Sequence, residues 1–211
     1  MALEPILNEK FPLAGGVLTD TRSVILAAGL DLFATGGYAA VSTRELAAAC
    51  GVNIATLNYH FGGKESLYRE TMRSVYTTMQ TDLQALLPGL LGAPVRSVLE
   101  SLYYFARSRD RQIRLFMREV MEFGHLRQET QNEHWLPTIE MYGGLVAAQL
   151  GLSELKARQL LVTTSFLVAR FAIQSEESLV AVFGVSSVQA AHEAAVDCLF
   201  QTTKSFLEPV A

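Results

Sequence analysis

Cysteine is almost missing from this chain: two residues in 211, Cys50 and Cys198, with no CxxC spacing. Disulfide frameworks and cysteine-built metal sites are thereby excluded as the basis of the fold, and a reducing compartment, the cytoplasm, is the expected location. Charge is also sparse. Only 18% of residues are charged, and 17 basic side chains face 21 acidic ones for a net −4. A protein coated in basic residues for indiscriminate nucleic-acid binding is ruled out, whereas a reader with one local positive face is not. A basic n-region followed by an apolar run is lacking at the N-terminus, so a signal peptide is not expected. No uncharged apolar run approaches the roughly 20 residues that cross a bilayer, and no membrane partner is expected. Internal repeats and low-complexity tracts are absent as well. Nucleophile–base pairs, glycine-rich phosphate loops and paired carboxylates are equally lacking, so neither an enzyme nor a cofactor is expected. His125 and His134, with Glu129 and Glu133 nearby, read as a solvated stretch rather than a metal site.

What the chain does have is apolar periodicity. Half its residues are hydrophobic, enough for a substantial core and for some surface buried against another subunit. Residues 1–18, with Pro5, Pro12 and Gly15-Gly16, form an irregular arm. Thr21 caps a helix from Arg22 to about Ala34, with Ile25, Ala28, Leu32 and Phe33 on one stripe, and Gly36-Gly37 stop it. A long helix opens at Lys64 and runs to Pro88. Further helices are expected over Val95–Arg107, Arg111–Phe123, the stretch from Pro137 to Gly151, Ser153 to Ile173, and Ser187–Leu207, with a loop around Ser175 to Val185. No segment alternates over strand length. The fold class is all-α, with about nine helices. The last two long helices are apolar around more than one face, which favours a homodimer built as a four-helix bundle over a central core helix in a monomer.

The chain is organised around Thr43–Phe61. Ser42 and Glu45 have the spacing of a capping box, Gly51 suits a left-handed turn, and Asn53 is placed to cap a second short helix. Two helices joined this way make either a helix-turn-helix reader of the DNA major groove or an ordinary helical corner. Local charge does not favour the reader. From Thr19 to Glu70, Arg22, Arg44, Lys64 and Arg69 are outnumbered by Asp20, Asp31, Glu45, Glu65 and Glu70, a net of −1. Leu46, Ala47, Cys50, Val52 and Leu57 make the shared core of the pair, with Phe61 beside them.

The stretch and its flanks resemble the TetR family of transcriptional regulators. The residues that carry the likeness are Ile25-Leu26-Ala27-Ala28, Leu32-Phe33, Gly37-Tyr38, Ser42-Thr43-Arg44-Glu45-Leu46-Ala47, Cys50-Gly51-Val52-Asn53, Thr56-Leu57, Tyr59-His60-Phe61 and Lys64-Glu65-Ser66-Leu67. It spans about fifty residues in unbroken register; the rest of the chain matches only in length and helical character. The resemblance implies a DNA-binding domain over 19–66 and a ligand-binding and dimerisation domain over 67–211. Thr43 and Arg44 match positions touching phosphate or a base edge. Asn53 matches the cap of the recognition helix, where Ser is more frequent, and Ile54, Ala55, Thr56 and Asn58 match its base-facing side. Ala55 stands where Gly is frequent and Asn58 where an aromatic is frequent. Tyr59, His60 and Lys64 match phosphate contacts. The implied partners are a palindromic double-stranded operator, a second copy of the chain joined through the last two helices, and a small, largely apolar effector. Candidate effector-lining residues are Tyr103, Phe116, Met117, Met121, Trp135, Tyr142, Phe166 and Arg170. The implied function is a ligand-responsive regulator, read here as a repressor; the alternatives are a helical interaction module that has lost specific DNA binding and an all-α enzyme, the latter disfavoured by the missing catalytic constellation.

Overall fold

The computed structural model describes residues 20–124 and 131–207. The arm over 1–18, His125 and Glu129 lie outside the described residues. Among those described, ten α-helices and one π-helical turn account for nearly all of the backbone, and there is no strand. They are α1 (Thr21–Ala40), α2 (Thr43–Ala49), α3 (Ile54–Phe61), α4 (Lys64–Leu90), α5 (Val95–Ser108), α6 (Asp110–Phe123), the π turn Gln131–Trp135, α7 (Leu136–Leu150), α8 (Glu154–Ala172), α9 (Glu176–Phe183) and α10 (Val188–Leu207).

Three boundaries differ from expectation, each for a physical reason. The N-cap of α1 is Asp20, not Thr21: its carboxylate accepts from the Ser23 N–H at 2.9 Å. This bonding to Ser23 holds the carboxyl below its ordinary range. The Gly36-Gly37 pair does not end α1, because the helix resumes through Ala40 after a single non-helical residue, Gly37. The stretch read as a loop contains α9. Ser175 caps it through the Ser178 N–H, Glu176 and Glu177 lie in its first turn, and Leu179 is fully buried. Acidic residues at a helix start are stabilised by the unpaired N–H groups there.

The chain divides into two compact units. The first comprises the described residues of 12–82 and 111–134, the second those of 83–110 and 135–211. Helix α4 contributes to both. In the first unit, Ile25, Phe33, Ala34, Leu46, Ala47, Leu57, Phe61, Leu67, Tyr68, Met72 and Leu115 form one buried cluster. A Cβ at Gly29 would stand 3.0 Å from the Thr71 hydroxyl, so the missing side chain is what lets α1 approach α4. By length and composition alone α1 could cross a membrane. Its apolar stripe is instead buried in this core, while Arg22 and Asp31 pair with Glu70 and Arg111.

In the second unit α8 packs on α7, α5 and α10, and α10 on α5 and α9. Its centre is polar. Tyr103 and His192 are both wholly buried, and the Tyr103 hydroxyl lies 2.7 Å from His192 Nδ1. Burial, with Arg107 nearby, pushes the imidazole down to about 4, so it is neutral at physiological pH. Arg107 also closes the end of α8, donating to the carbonyls of Ala172 and Gln174 at 3.3 and 3.1 Å.

Candidate nucleic-acid interface

The expected capping box is present in full. Ser42 accepts from the Glu45 N–H at 3.1 Å, and Glu45 accepts from the Ser42 N–H at 2.7 Å. The Ser42 hydroxyl and N–H hold the Glu45 carboxyl below its usual range. Thr43 is half-buried and Arg44 exposed at the start of α2. Gly51 makes the turn at φ +67°. Leu46 and Ala47 from α2 meet Leu57 and Phe61 from α3 in the buried cluster, and Cys50 and Val52 pack against it. Burial raises the Cys50 thiol above its ordinary value, as befits a packing residue rather than a reactive one.

Helix α3 therefore has one face fixed inward and the other turned out. Ile54, Ala55, Asn58 and Tyr59 are exposed, Tyr59 at 85%. Tyr59 is therefore not a packing residue of the core. Its ring meets His60 edge-on at 5.3 Å, and His60 is half-buried. Asn53 caps the helix as expected: its Oδ1 accepts from the Thr56 N–H at 2.7 Å and from the Thr56 hydroxyl at 3.0 Å. That second bond commits the only hydroxyl donor of Thr56, leaving its methyl and its acceptor lone pairs uncommitted by it.

Lys64, the first residue of α4, is held differently from a surface cation. Its Nζ donates to the carbonyls of Tyr38 and Val41, each at 2.9 Å, and lies 4.3 Å from the centre of the Tyr38 ring. Two of its three N–H groups are thus used inside the protein.

Four of the five acidic side chains from Thr19 to Glu70 are engaged within the fold. Asp20 caps α1, Glu45 caps α2, Asp31 pairs with Arg111, and Glu70 pairs with Arg22 and Arg73. Helix α3 itself carries no acidic residue. With its N-terminus exposed, the outward face presents amide, hydroxyl and helix-dipole groups without a carboxylate to repel phosphate.

The residues expected to line an effector site are divided between the two units. In the first, Phe116 lies edge-on to Tyr76 at 5.9 Å, and His134 stacks on the same ring at 5.3 Å. Met117 is half-buried, while Met121 is 79% exposed. In the second, Trp135 meets Phe166 at 6.5 Å, Tyr142 is buried, Tyr103 binds His192, and Arg170 is exposed. Two buried polar groups escaped the sequence reading. Glu119 is fully buried, and the Tyr76 hydroxyl is buried without a hydrogen-bond partner among the described residues. Burial, with Glu119 second, raises the Tyr76 phenol far above its ordinary value. Glu119 lies four residues after the buried Leu115, so it occupies an inward helical position that only its charge disguised.

No curated protein sequence matches the chain. The fold is similar to that of several solved structures. One is a transcriptional regulator from Streptomyces coelicolor, with TM-score 0.63 and 18% identity over 87% of this chain and 98% of that one. Another is the ketosteroid transcriptional regulator KstR2 of Mycobacterium tuberculosis, with TM-score 0.61 and 14% identity over 90% and 98%. A third is the fatty acid degradation regulator FadR from Bacillus halodurans, with TM-score 0.60 and 15% identity over 87% and 96%. Residues 25–71, which hold α2, the turn and α3, match the family model for bacterial regulatory proteins of the tetR family. Residues 25–71 thus match the helix-turn-helix domain of the tetR family of bacterial regulatory proteins, and the described residues share the all-helical fold of these solved regulators.

Proposed function

We propose that the protein acts as a dimeric, effector-responsive repressor, with α3 of each subunit entering the major groove of a palindromic operator. The observation that carries this reading is the outward face of α3. Ile54, Ala55, Asn58 and Tyr59 are exposed on a helix free of acid, whose opposite face is locked by Leu57 and Phe61. Asn58 reaches for a base edge, adenine being the pairing its amide suits. Thr56 offers a methyl group to thymine, alongside Ile54 and Ala55. Arg44, Thr43, Tyr59, His60 and the free amide hydrogens of Asn53 serve the backbone, fixing register without reading sequence. Lys64 serves the same surface by holding the turn before α2.

Dimerisation is assigned to α8 and α10. Leu155 and Val162 stand exposed on α8, at 67% and 37%, and α10 turns half-buried Ala190, Ala194 and Cys198 away from its core face. The effector is assigned to the helices after α4, where aromatic rings and a few buried polar groups provide a mostly apolar environment. Repression is relieved only if the effector and the operator favour different conformations of the dimer.

Selection of bound duplexes from a random pool tests the reading directly. A preferred inverted repeat, bound with strong salt dependence and released by a subset of small apolar molecules, is the expected result. Equal binding of selected and random duplexes at every salt concentration would return the protein to the class of interaction modules.

A further inference from the structure

Helix α1 contains a broken hydrogen bond that α6 repairs. In a continuous α-helix the Tyr38 N–H would donate to the Ala34 carbonyl. Gly37 has φ +79° and ψ 167°, and such an extended ψ turns the next N–H away from the helix axis. Both orphaned groups are satisfied from one place. The Glu122 carboxylate accepts from the Tyr38 N–H at 3.2 Å, and Arg118 Nε donates to the Ala34 carbonyl at 2.8 Å. A second guanidinium N–H of Arg118 goes to the neighbouring Thr35 carbonyl. Arg118 and Glu122 lie one turn apart on α6, with 3.8 Å between charged atoms, so each holds the other in place.

The fit leaves no slack. A Cβ on Gly37 would come within 1.9 Å of the Glu122 carboxylate. Around this point α6 is anchored twice more, by the fully buried Leu115 and by the pair Arg111–Asp31 at 2.7 Å. The Tyr38 peptide is held at both ends, its N–H by Glu122 and its carbonyl by Lys64. Its ring packs against Phe33, Tyr68 and Phe123. Tyr38 begins the short segment that delivers the chain to Ser42 and the capping box of α2.

We propose that Arg118 and Glu122 are positioning residues for DNA reading, closing the broken turn of α1 from 84 residues away in sequence. The reader is then assembled from two separate segments, 20–82 and α6. This deepens the DNA-binding reading above and rests on it. Sequence preference depends on α6 being in register with α1, although neither Arg118 nor Glu122 touches DNA.

Charge gives the test its sign. Glu122→Ala removes a negative charge, which by electrostatics alone tightens binding to DNA. Loss of the positioning contact does the reverse. In the full-length protein, Glu122→Ala is expected to bind the selected duplex roughly tenfold more weakly, with a smaller loss on random DNA and an unchanged salt slope. Glu122→Gln, which keeps an acceptor oxygen, restores most of the affinity. Hydrogen exchange at the Tyr38 amide, slow in the parent, accelerates in Glu122→Ala and not in Glu122→Gln. Undiminished or tighter specific binding by Glu122→Ala overturns the proposal. Should that variant not fold, Arg118→Lys carries the test. It keeps the charge but loses the planar fork whose two nitrogens serve the Ala34 and Thr35 carbonyls separately, and unaltered specific binding overturns the proposal. If the parent prefers no duplex, the repressor reading fails, while Tyr38 exchange still decides whether the clasp exists: equal exchange in parent and variant overturns it.

Discussion

Asn58 is the one exposed amide in the middle of α3, and it has no competing role in the fold. Asn58→Ala is therefore expected to relax base choice at one operator position by about 1–3 kcal/mol while leaving thermal stability unchanged, as competition among single-base operator variants would reveal. Tyr59→Phe differs in kind. Its hydroxyl lies on an 85% exposed ring, so its loss should weaken binding to all sequences alike, by about 1 kcal/mol. His192 sets a residue-scale limit of another sort. Buried and neutral, with its value depressed to about 4, it binds a proton more readily unfolded than folded. Its contribution to stability is thus complete above the unfolded value near 6.5 and is lost as pH falls toward 4, by roughly 2–3 kcal/mol. Comparing thermal midpoints at pH 7 and 4.5 for the parent and His192→Gln isolates this effect from the titrating carboxylates. The inward role of Leu57 and Phe61 and the outward role of Asn58 were legible from helical spacing alone. The commitment of the Thr56 hydroxyl to Asn53 was not, because a capping residue and its second acceptor bond read identically in sequence.

Helix starts were better written into the sequence than helix ends. Ser42 with Glu45, Asn53 and Ser153 each act through the residue three positions on, so the signal is local. Ser42→Ala should accordingly cost about 1 kcal/mol in thermal or denaturant unfolding. The end of α1 is the counterexample. Gly36-Gly37 looks like a stop, but the groups that allow the helix to resume sit on α6 and leave no local trace. Gly37→Ala is expected to destabilise the protein by about 2 kcal/mol, since it combines an unfavourable φ with a clash against Glu122. Helix α9 was missed for a simpler reason. It is only eight residues long, too short for its period to stand out beside its cap.

Seen whole, the chain reconciles an acidic composition with an anionic partner by spatial sorting. Around the helix-turn-helix, Asp20 and Glu45 cap helices while Asp31 and Glu70 pair with arginines, and so a net charge of −4 does not describe the outward face of α3. Assembly offers the corresponding test at this scale. Val162→Asp on α8 is expected to shift the protein toward monomers in sedimentation and to abolish tight operator binding, with little change in the secondary structure seen by circular dichroism. Two chains per operator duplex, and much weaker capture of an isolated half-site, are the matching stoichiometric expectations.

The clasp between α6 and α1 also bears on how freely such proteins can be recombined. A reader cut out at Leu18 and Ser66 and fused to another regulator's body leaves Arg118 and Glu122 behind. The transplanted α1 then has an unmatched N–H at Tyr38 and bare carbonyls at Ala34 and Thr35. A working chimera needs its host to supply an arginine and an acid one turn apart at the same height on the facing helix, and a glycine opposite them. Modularity here is bounded by three side-chain identities, which any exchange of heads has to carry together.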